Sequence, residues 1–250
     1  MSLADHQERF ARSQTVGEVA ALKNVTKTYA GRVAVRGVNI DIKRGDFTIL
    51  TGHNGSGKST ILSMFMGVAH PDDGEVILLG QSLHEISDKK LKKIKQGRVG
   101  IGFQSALVER SHTVASVARL TANANNIKVS NIRVRDLAVQ FNMVDKLMHE
   151  TGGLSGGEQM RVSMMRALAT NPELILLDEP TGAMEPKGKA EAFRVLREIV
   201  NREQATVVMV THDPDITREY ADCEYVMQNG EISDVRRYQY IQAPTVQPAT

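Results

Sequence analysis
Hydrophobic and polar positions divide the chain into a polar opening, a strand-rich segment, a helical segment and a run in which strands and helices alternate. Residues 1–17 are polar and weakly patterned. From Val19 to Asp46 the pattern is strand-like: Val33, Val35, Val38, Ile40 and Ile42 mostly alternate with polar residues, as half-buried antiparallel strands do, with turns at Ala30-Gly31 and Arg44-Gly45. Phe47 to Leu50 reads as a short buried strand, and Ser59 to Phe65 has helical spacing. The turn Pro71-Asp72-Asp73-Gly74 leads into a strand from Glu75 to Leu79. The lysine-rich run Asp88 to Lys95 reads as a short helix, and Val99 to Phe103 as a strand ending in Gln104. From Ser105 to about Thr151 strand signals fade, while Thr113 to Asn125 and Ile132 to Met148 look helical, which predicts an all-helical insert. The alternation resumes after Gly157: a helix to Ala169, a strand from Glu173 to Leu177, a helix from Pro186 to Arg202, a strand from Thr206 to Thr211, a helix after Pro214, and a hairpin turning at Asn229-Gly230. This order predicts an α/β fold with a mostly parallel sheet. The tail beyond Tyr240 is expected to be disordered.

Composition changes this picture little. Apolar residues at 41% and charged residues at 24% are ordinary for a soluble globular chain of 250 residues. A net charge of +2 gives no field that argues for nucleic acid as a partner. No apolar run reaches the length of a membrane span, the polar start (Asp5, His6, Gln7) is unlike a signal peptide, and Cys223 has no second cysteine to pair with. A cytoplasmic location is expected. The five lysines of Asp88 to Lys95 fit either a solvated helix face or a face near anionic lipid headgroups.

The chemistry starts at Gly52-His53-Asn54-Gly55-Ser56-Gly57-Lys58-Ser59-Thr60, which matches the phosphate-cradling pattern G-x-x-x-x-G-K-[ST] between a predicted strand and a predicted helix. Glycines let the backbone curl so that successive N–H groups point at phosphate oxygens, and the helix start adds its positive end. Lys58 then reaches the β- and γ-phosphates, and Ser59 offers its hydroxyl to Mg²⁺. Three further strand ends carry polar groups. Asp178 follows an apolar strand, where a phosphate-loop protein holds Mg²⁺; Glu179, one residue on, can take a proton from attacking water. His212 follows another strand and Gln104 a third, so parallel-strand logic puts all of them at one sheet edge. Taken alone, the carboxylates read equally as a pair at a strand end, a lone histidine is more often a structural donor, and Gln104 reads as a solvated loop residue. Three such strand ends aimed at one phosphate site are much less easily accidental. Leu154-Ser155-Gly156-Gly157-Glu158-Gln159 repeats the phosphate-binding device at the start of a second helix, and one nucleotide does not need two such starts from one subunit.

With these motifs in this order, from about Val19 to Val235, the chain resembles the ATP-binding subunits of ABC transporters. Gly52 to Thr60 matches the Walker A motif, Gln104 the Q-loop, Leu154 to Gln159 the signature, Leu174 to Glu179 Walker B, and His212 the switch histidine. Tyr29 falls where the family carries an aromatic that stacks on adenine; without the resemblance it is a partly buried anchor. The resemblance implies a P-loop NTPase core with a mostly parallel sheet, an antiparallel β-subdomain near the N-terminus and a helical subdomain at about 105–153. The ATPase domain is then 19–237, flanked by an extension at 1–18 and a tail at 238–250. It also implies ATP and Mg²⁺ as ligands. Tyr29, Gly52, Asn54, Gly55, Ser56, Gly57, Lys58, Ser59 and Thr60 hold the nucleotide, with Ser155, Gly156, Gly157 and Glu158 from a second copy. Ser59, Gln104 and Asp178 attend the metal, and Glu179, His212, Gln104 and Lys58 serve catalysis. The expected partners are a second copy, in a head-to-tail dimer enclosing two ATP molecules, and a membrane permease at the cytoplasmic face of the membrane, without nucleic acid.

Within the family, Glu179-Pro180-Thr181-Gly182 resembles the MacB/Lol-type branch, which drives export of lipoproteins, peptides, antibiotics or haem. Two departures matter. Gly182-Ala183-Met184-Glu185 stands where relatives carry Ser-Ala-Leu-Asp, and the segment after Gln104 lacks the usual Leu-Leu-Pro and Glu-Asn-Val features, which leaves cargo and permease open. A regulatory ATPase that signals to a cell-division complex is the main alternative. Soluble repair and translation ATPases fit less well, lacking here a coiled coil or a second ATPase domain. A P-loop kinase has no use for Leu154 to Gln159.

Overall fold
The computed structural model describes residues 17–84, 86–102 and 110–238. Two sheets share the chain. The first is antiparallel, in the order β2-β1-β4-β5, built from β1 (Glu18–Tyr29), β2 (Arg32–Lys43), β4 (Asp73–Leu78) and β5 (Gln81–Ser82). The second has the order β10-β9-β3-β8-β7-β6, from β3 (Phe47–Gly52), β6 (Val99–Gly102), β7 (Leu174–Asp178), β8 (Thr206–Val210), β9 (Cys223–Gln228) and β10 (Glu231–Arg237). Its strands are parallel except for the β9–β10 hairpin, whose turn uses left-handed backbone at Asn229 and Gly230.

The second sheet is buried on both faces, and the period-2 alternation of each strand sorts its side chains between two cores. Phe47, Ile49, Ile175, Leu177, Val207 and Met209 face one core. It is completed by α5 (Gly156–Leu168) and α6 (Pro186–Glu203), where Phe193 stacks on Phe47 with ring centroids 6.2 Å apart, and by the helical segment α3 (Val114–Ala124) and α4 (Asn131–Gln140). Leu50, Leu174, Leu176, Val208 and Val210 face the other core, with Ile61, Leu62, Met64 and Phe65 of α1 (Lys58–Phe65) and the inward residues of the antiparallel sheet. The helix after the phosphate loop is therefore clamped between two sheets.

Several expected boundaries move. The helix expected from Ile132 to Met148 is α4, which stops at Gln140. Asn142 adopts left-handed backbone, its N–H donates to Val139 O, and Met143 N–H donates to Ala138 O at 2.7 Å, a stop that satisfies the last carbonyls. Residues 141–153 continue as loop and two 3-10 turns, Val144–Lys146 and Thr151–Gly153. The helix expected from Glu158 starts at Gly156, because Ser155 is its cap. Val33, expected to be half-buried, is 41% exposed at the strand end. The strand expected to run to Phe103 is described as far as Gly102, and Gln104 lies outside the described residues, as do residues 1–16 and the tail from 239.

The lysine-rich helix α2 (Asp88–Lys95) is capped by Ser87 and docked through buried Leu91. Lys89, Lys90, Lys92 and Lys93 are exposed, whereas Lys95 donates to Met66 O at 2.7 Å, at the carboxyl end of α1, where a cation is favoured. Among the described residues no helix is long and apolar enough to cross a membrane.

Candidate functional site
Parallel register brings the site together. Leu50 of β3 pairs with Val210 of β8, and Val210 pairs with Asp178 of β7, so three strands end level and their following residues share one edge. Gly52 closes β3 with φ 140°, and the loop enters α1 through Gly57 at φ 107°. Both glycines are dictated by packing as well as backbone. A Cβ at Gly52 would sit 2.2 Å from Met227 O, and one at Gly57 would sit 2.5 Å from Ala34 O. At Gly55, where φ is 78°, nothing lies within 4 Å, and Asn54 beside it is exposed at the loop tip.

Among the described residues no side chain caps the start of α1, so its first N–H groups are available to an anion. Ser56 is fully buried in the loop, and its hydroxyl has no hydrogen-bond partner among the described residues. Lys58 is 5% exposed and donates to Gly52 O and His53 O at 2.9 Å, spanning the loop. Burial lowers its pKa, while Glu179 and Asp178 act in the opposite sense. Thr60 follows in the first turn. These features fit a bound triphosphate.

Ser59 Oγ lies 3.5 Å from Asp178 Oδ1. Burial, and then the neighbouring Glu179, push the Asp178 carboxyl above the usual carboxylate range, against the lowering effect of Ser59 and Lys58. A hydroxyl and a carboxylate under that charge stress suit a hard divalent cation that keeps water and phosphate oxygens as its other ligands. Next to it, Glu179 takes left-handed backbone with φ 45°, and its N–H donates to Val210 O at 3.1 Å. That turn carries the side chain across to β8, where His212 Nε2 lies 2.6 Å from Glu179 Oε1. A cleft of about 290 Å³ opens beside the pair, lined by Thr181, Gly182, Lys189 and Asp213 as well as Glu179 and His212.

The second helix start lies elsewhere. α5 packs over β6, so close that a Cβ at Gly100 would sit 2.1 Å from Ala167 O. In the sheet, β6 is three strand spacings from β3, about 14 Å. Ser155 Oγ accepts Glu158 N–H at 3.3 Å, and Glu158 Oε2 accepts Ser155 N–H at 2.9 Å, a reciprocal cap. The Glu158 carboxylate is thus turned back on its own helix, and its other oxygen is bonded to Lys146. Gly156 and Gly157 are left with the open N–H groups, and they abut Ala183 and Met184, of which Met184 is buried. Glu185 is the N-cap residue of α6 but makes no side-chain cap.

Tyr29 ends β1 at a turn through Ala30 and Gly31, both left-handed. The residue is 47% exposed, with Lys27 Nζ 5.4 Å from the ring centroid. The same hairpin presses Ala34 O against Gly57. Sequence reasoning missed Lys146 and Lys189, because partners 12 and 24 residues away leave no local pattern.

A family model described as "ABC transporter" matches residues 35–182. The chain is 33% identical over 223 residues to the lipoprotein-releasing system ATP-binding protein LolD 2 of Caulobacter vibrioides, covering 88% of this chain and 97% of that one. It is 34% identical over 218 residues to the methionine import ATP-binding protein MetN 1 of Oceanobacillus iheyensis, covering 84% of this chain and 64% of that one. It spans 44% of ABC transporter H family member 2 of Dictyostelium discoideum. Among solved structures, the dimeric ABC transporter cassette MJ0796 of Methanocaldococcus jannaschii superposes with a TM-score of 0.82 at 31% identity, covering 89% of this chain and all of that one; a second structure of it is a post-hydrolysis state bound to ADP and Pi. Sequence motifs, sheet order and these relatives agree, and the chain belongs to the ABC transporter family, as an ATP-binding domain with ATPase activity.

Proposed function
We propose that this chain hydrolyses ATP as a head-to-tail dimer and so drives a separate membrane permease, to which it binds at the cytoplasmic face. One observation carries the shared-site part of this reading. Among the described residues two helix starts rich in glycine leave N–H groups open, Gly57-Lys58 of α1 and Gly156-Gly157 of α5, and the two helices pack in different cores on opposite faces of the second sheet, which sets the starts apart. A second copy turned head to tail brings the signature of one subunit to the P-loop of the other. The dimeric MJ0796 cassette supports that arrangement.

On this reading Gly52 to Thr60 cradle the phosphates, Tyr29 stacks on the base, and Gly156 and Gly157 close on the γ-phosphate of the ATP held by the partner. Ser59 and Asp178 would hold Mg²⁺, which supplies charge neutralisation across the β- and γ-phosphates, with Gln104 as the third attendant. Glu179 accepts the proton of the attacking water and His212 holds the Glu179 carboxylate in place. Near end-to-end similarity to LolD 2 and the run Glu179-Pro180-Thr181-Gly182 support an exporter of the lipid, peptide, antibiotic or haem type.

The test is ATPase activity per chain across protein concentration. A shared site predicts specific activity that rises with concentration and saturates as dimers form; full activity in a strictly monomeric chain overturns the reading. Two smaller effects follow. Tyr29→Ala is expected to weaken ATP binding by about 1–3 kcal/mol and Tyr29→Phe to be mild, since stacking uses the ring face; unchanged affinity in Tyr29→Ala returns the residue to a structural role. Glu185→Asp is expected to gain the missing cap and stabilise the fold by about 1 kcal/mol. It should also lower the permease-stimulated rate, because a carboxylate misplaced by about 1 Å at a dimer interface is costly. A rise in both thermal stability and rate would mark Glu185 as tuned for slow turnover.

A further inference from the structure
Lys146 takes no part in gripping nucleotide on the reading above, yet its ammonium is bonded to Glu158 Oε1 in the first turn of α5. Glu158 is the awkward group at this helix start. The reciprocal cap with Ser155 fixes its carboxylate within the turn, one residue from the open N–H groups of Gly156 and Gly157. A fixed negative charge there cancels the positive end of the helix and repels an arriving polyanion. Lys146 comes from the 3-10 turn Val144–Lys146, which follows α4 in the chain, and its side chain is 38% exposed against 24% for Glu158, so the pair is only partly open to solvent.

We propose that Lys146 is a positioning residue of the hydrolysis reaction: paired with Glu158, it offsets the carboxylate's charge and holds the Ser155–Gly157 turn, which keeps the helix start receptive to the γ-phosphate of ATP bound by a second copy. This rests on the reading that the signature faces the partner's nucleotide. The Lys146 hydrogen bond holds the Glu158 carboxyl below the usual carboxylate range, with burial opposing it and the Ser155 N–H assisting, so the charge to be offset is present at neutral pH. Lys146 also ties the helical segment to the signature, so movement of one is felt at the other.

The experiment measures ATP-dependent dimerisation of the full chain by sedimentation velocity across protein concentration, in a Glu179→Gln background that cannot discharge its ATP. Lys146→Met is expected to weaken dimerisation about tenfold while ATP binding to the dilute monomer stays unchanged. Lys146→Arg should behave like its parent. The double variant Lys146→Met/Glu158→Gln should recover most of the lost affinity, since Gln still caps the helix but carries no charge. Normal dimerisation in Lys146→Met, or a double variant no better than the single, overturns the proposal, the latter by reducing Lys146 to a structural tie. Gly157→Asp separates this from the underlying reading. A Cβ at Gly157 meets only ordinary contacts at 3.7 Å or more, and an acid in a first helical turn favours the helix, so the fold is retained. Loss of the dimer in Gly157→Asp is expected. A dimer that survives it, or no ATP-dependent dimer even in the Glu179→Gln chain, overturns the reading and the proposal together.

Discussion

Glu179→Gln is expected to bind ATP as tightly as the unaltered chain and to hydrolyse it about 10²–10⁴-fold more slowly. Gln fills the same volume and meets the same left-handed backbone demand at φ 45°, so the turn after β7 and its hydrogen bond to Val210 O should persist. What it removes is the basic oxygen that His212 holds at 2.6 Å. With closure favoured and the exit step blocked, the variant should accumulate as an ATP-bound dimer. Single-turnover hydrolysis, read beside nucleotide binding and sedimentation, checks the three parts separately. Near-normal turnover would reassign the base, first to His212.

Gly52→Ala is expected to abolish ATP binding and to cost about 3 kcal/mol of stability. The added methyl would lie 2.2 Å from Met227 O and 2.8 Å from Ser56 Oγ. The first contact is the harder to relieve. Met227 is the β9 partner of Gly52 in the parallel ladder, so the carbonyl retreats only if the β3–β9 pairing opens. The φ of 140° adds strain that only glycine avoids. A shift of β3 relative to β9 moves the loop, and with it the two carbonyls that hold Lys58. Gly55→Ala is the matched control. Its φ of 78° is also left-handed, but no atom lies within 4 Å, so strain without collision should cost less and leave weakened binding. Equal losses in both variants would mean that backbone conformation alone, and not the wall at Met227, requires glycine at Gly52.

Much of the candidate site could be read before any coordinates, because its chemistry is local. The G-x-x-x-x-G-K-[ST] spacing encodes a strand, a loop of open N–H groups and a helix start within a few residues, and Leu154 to Gln159 encodes a second helix start the same way. Apolar strands ending in Asp178 and before His212 placed both at one sheet edge because parallel strands must end at the same side. The helix ends were harder. Asn142 stops α4 by taking left-handed backbone, and a lone Asn in a run of apolar and polar residues does not reveal that choice. The lysines of α2 divided in a way their spacing did not show: four face solvent, and Lys95 is bound to the end of the phosphate-loop helix.

The α/β order of elements, the two helix starts and the residue types gathered at the sheet edge are all legible along the chain. Periodicity records which side of an element is buried, and glycine, serine and lysine at fixed spacing are a statement about adjacent backbone. Packing is what makes Met227 O and Ala34 O the walls requiring glycine at Gly52 and Gly57, brings Glu179 to His212, and gives Glu158 a second partner in Lys146. Most of these contacts join residues on separate elements. Their geometry follows from how the elements pack, a property of the whole core that no single stretch of the chain carries.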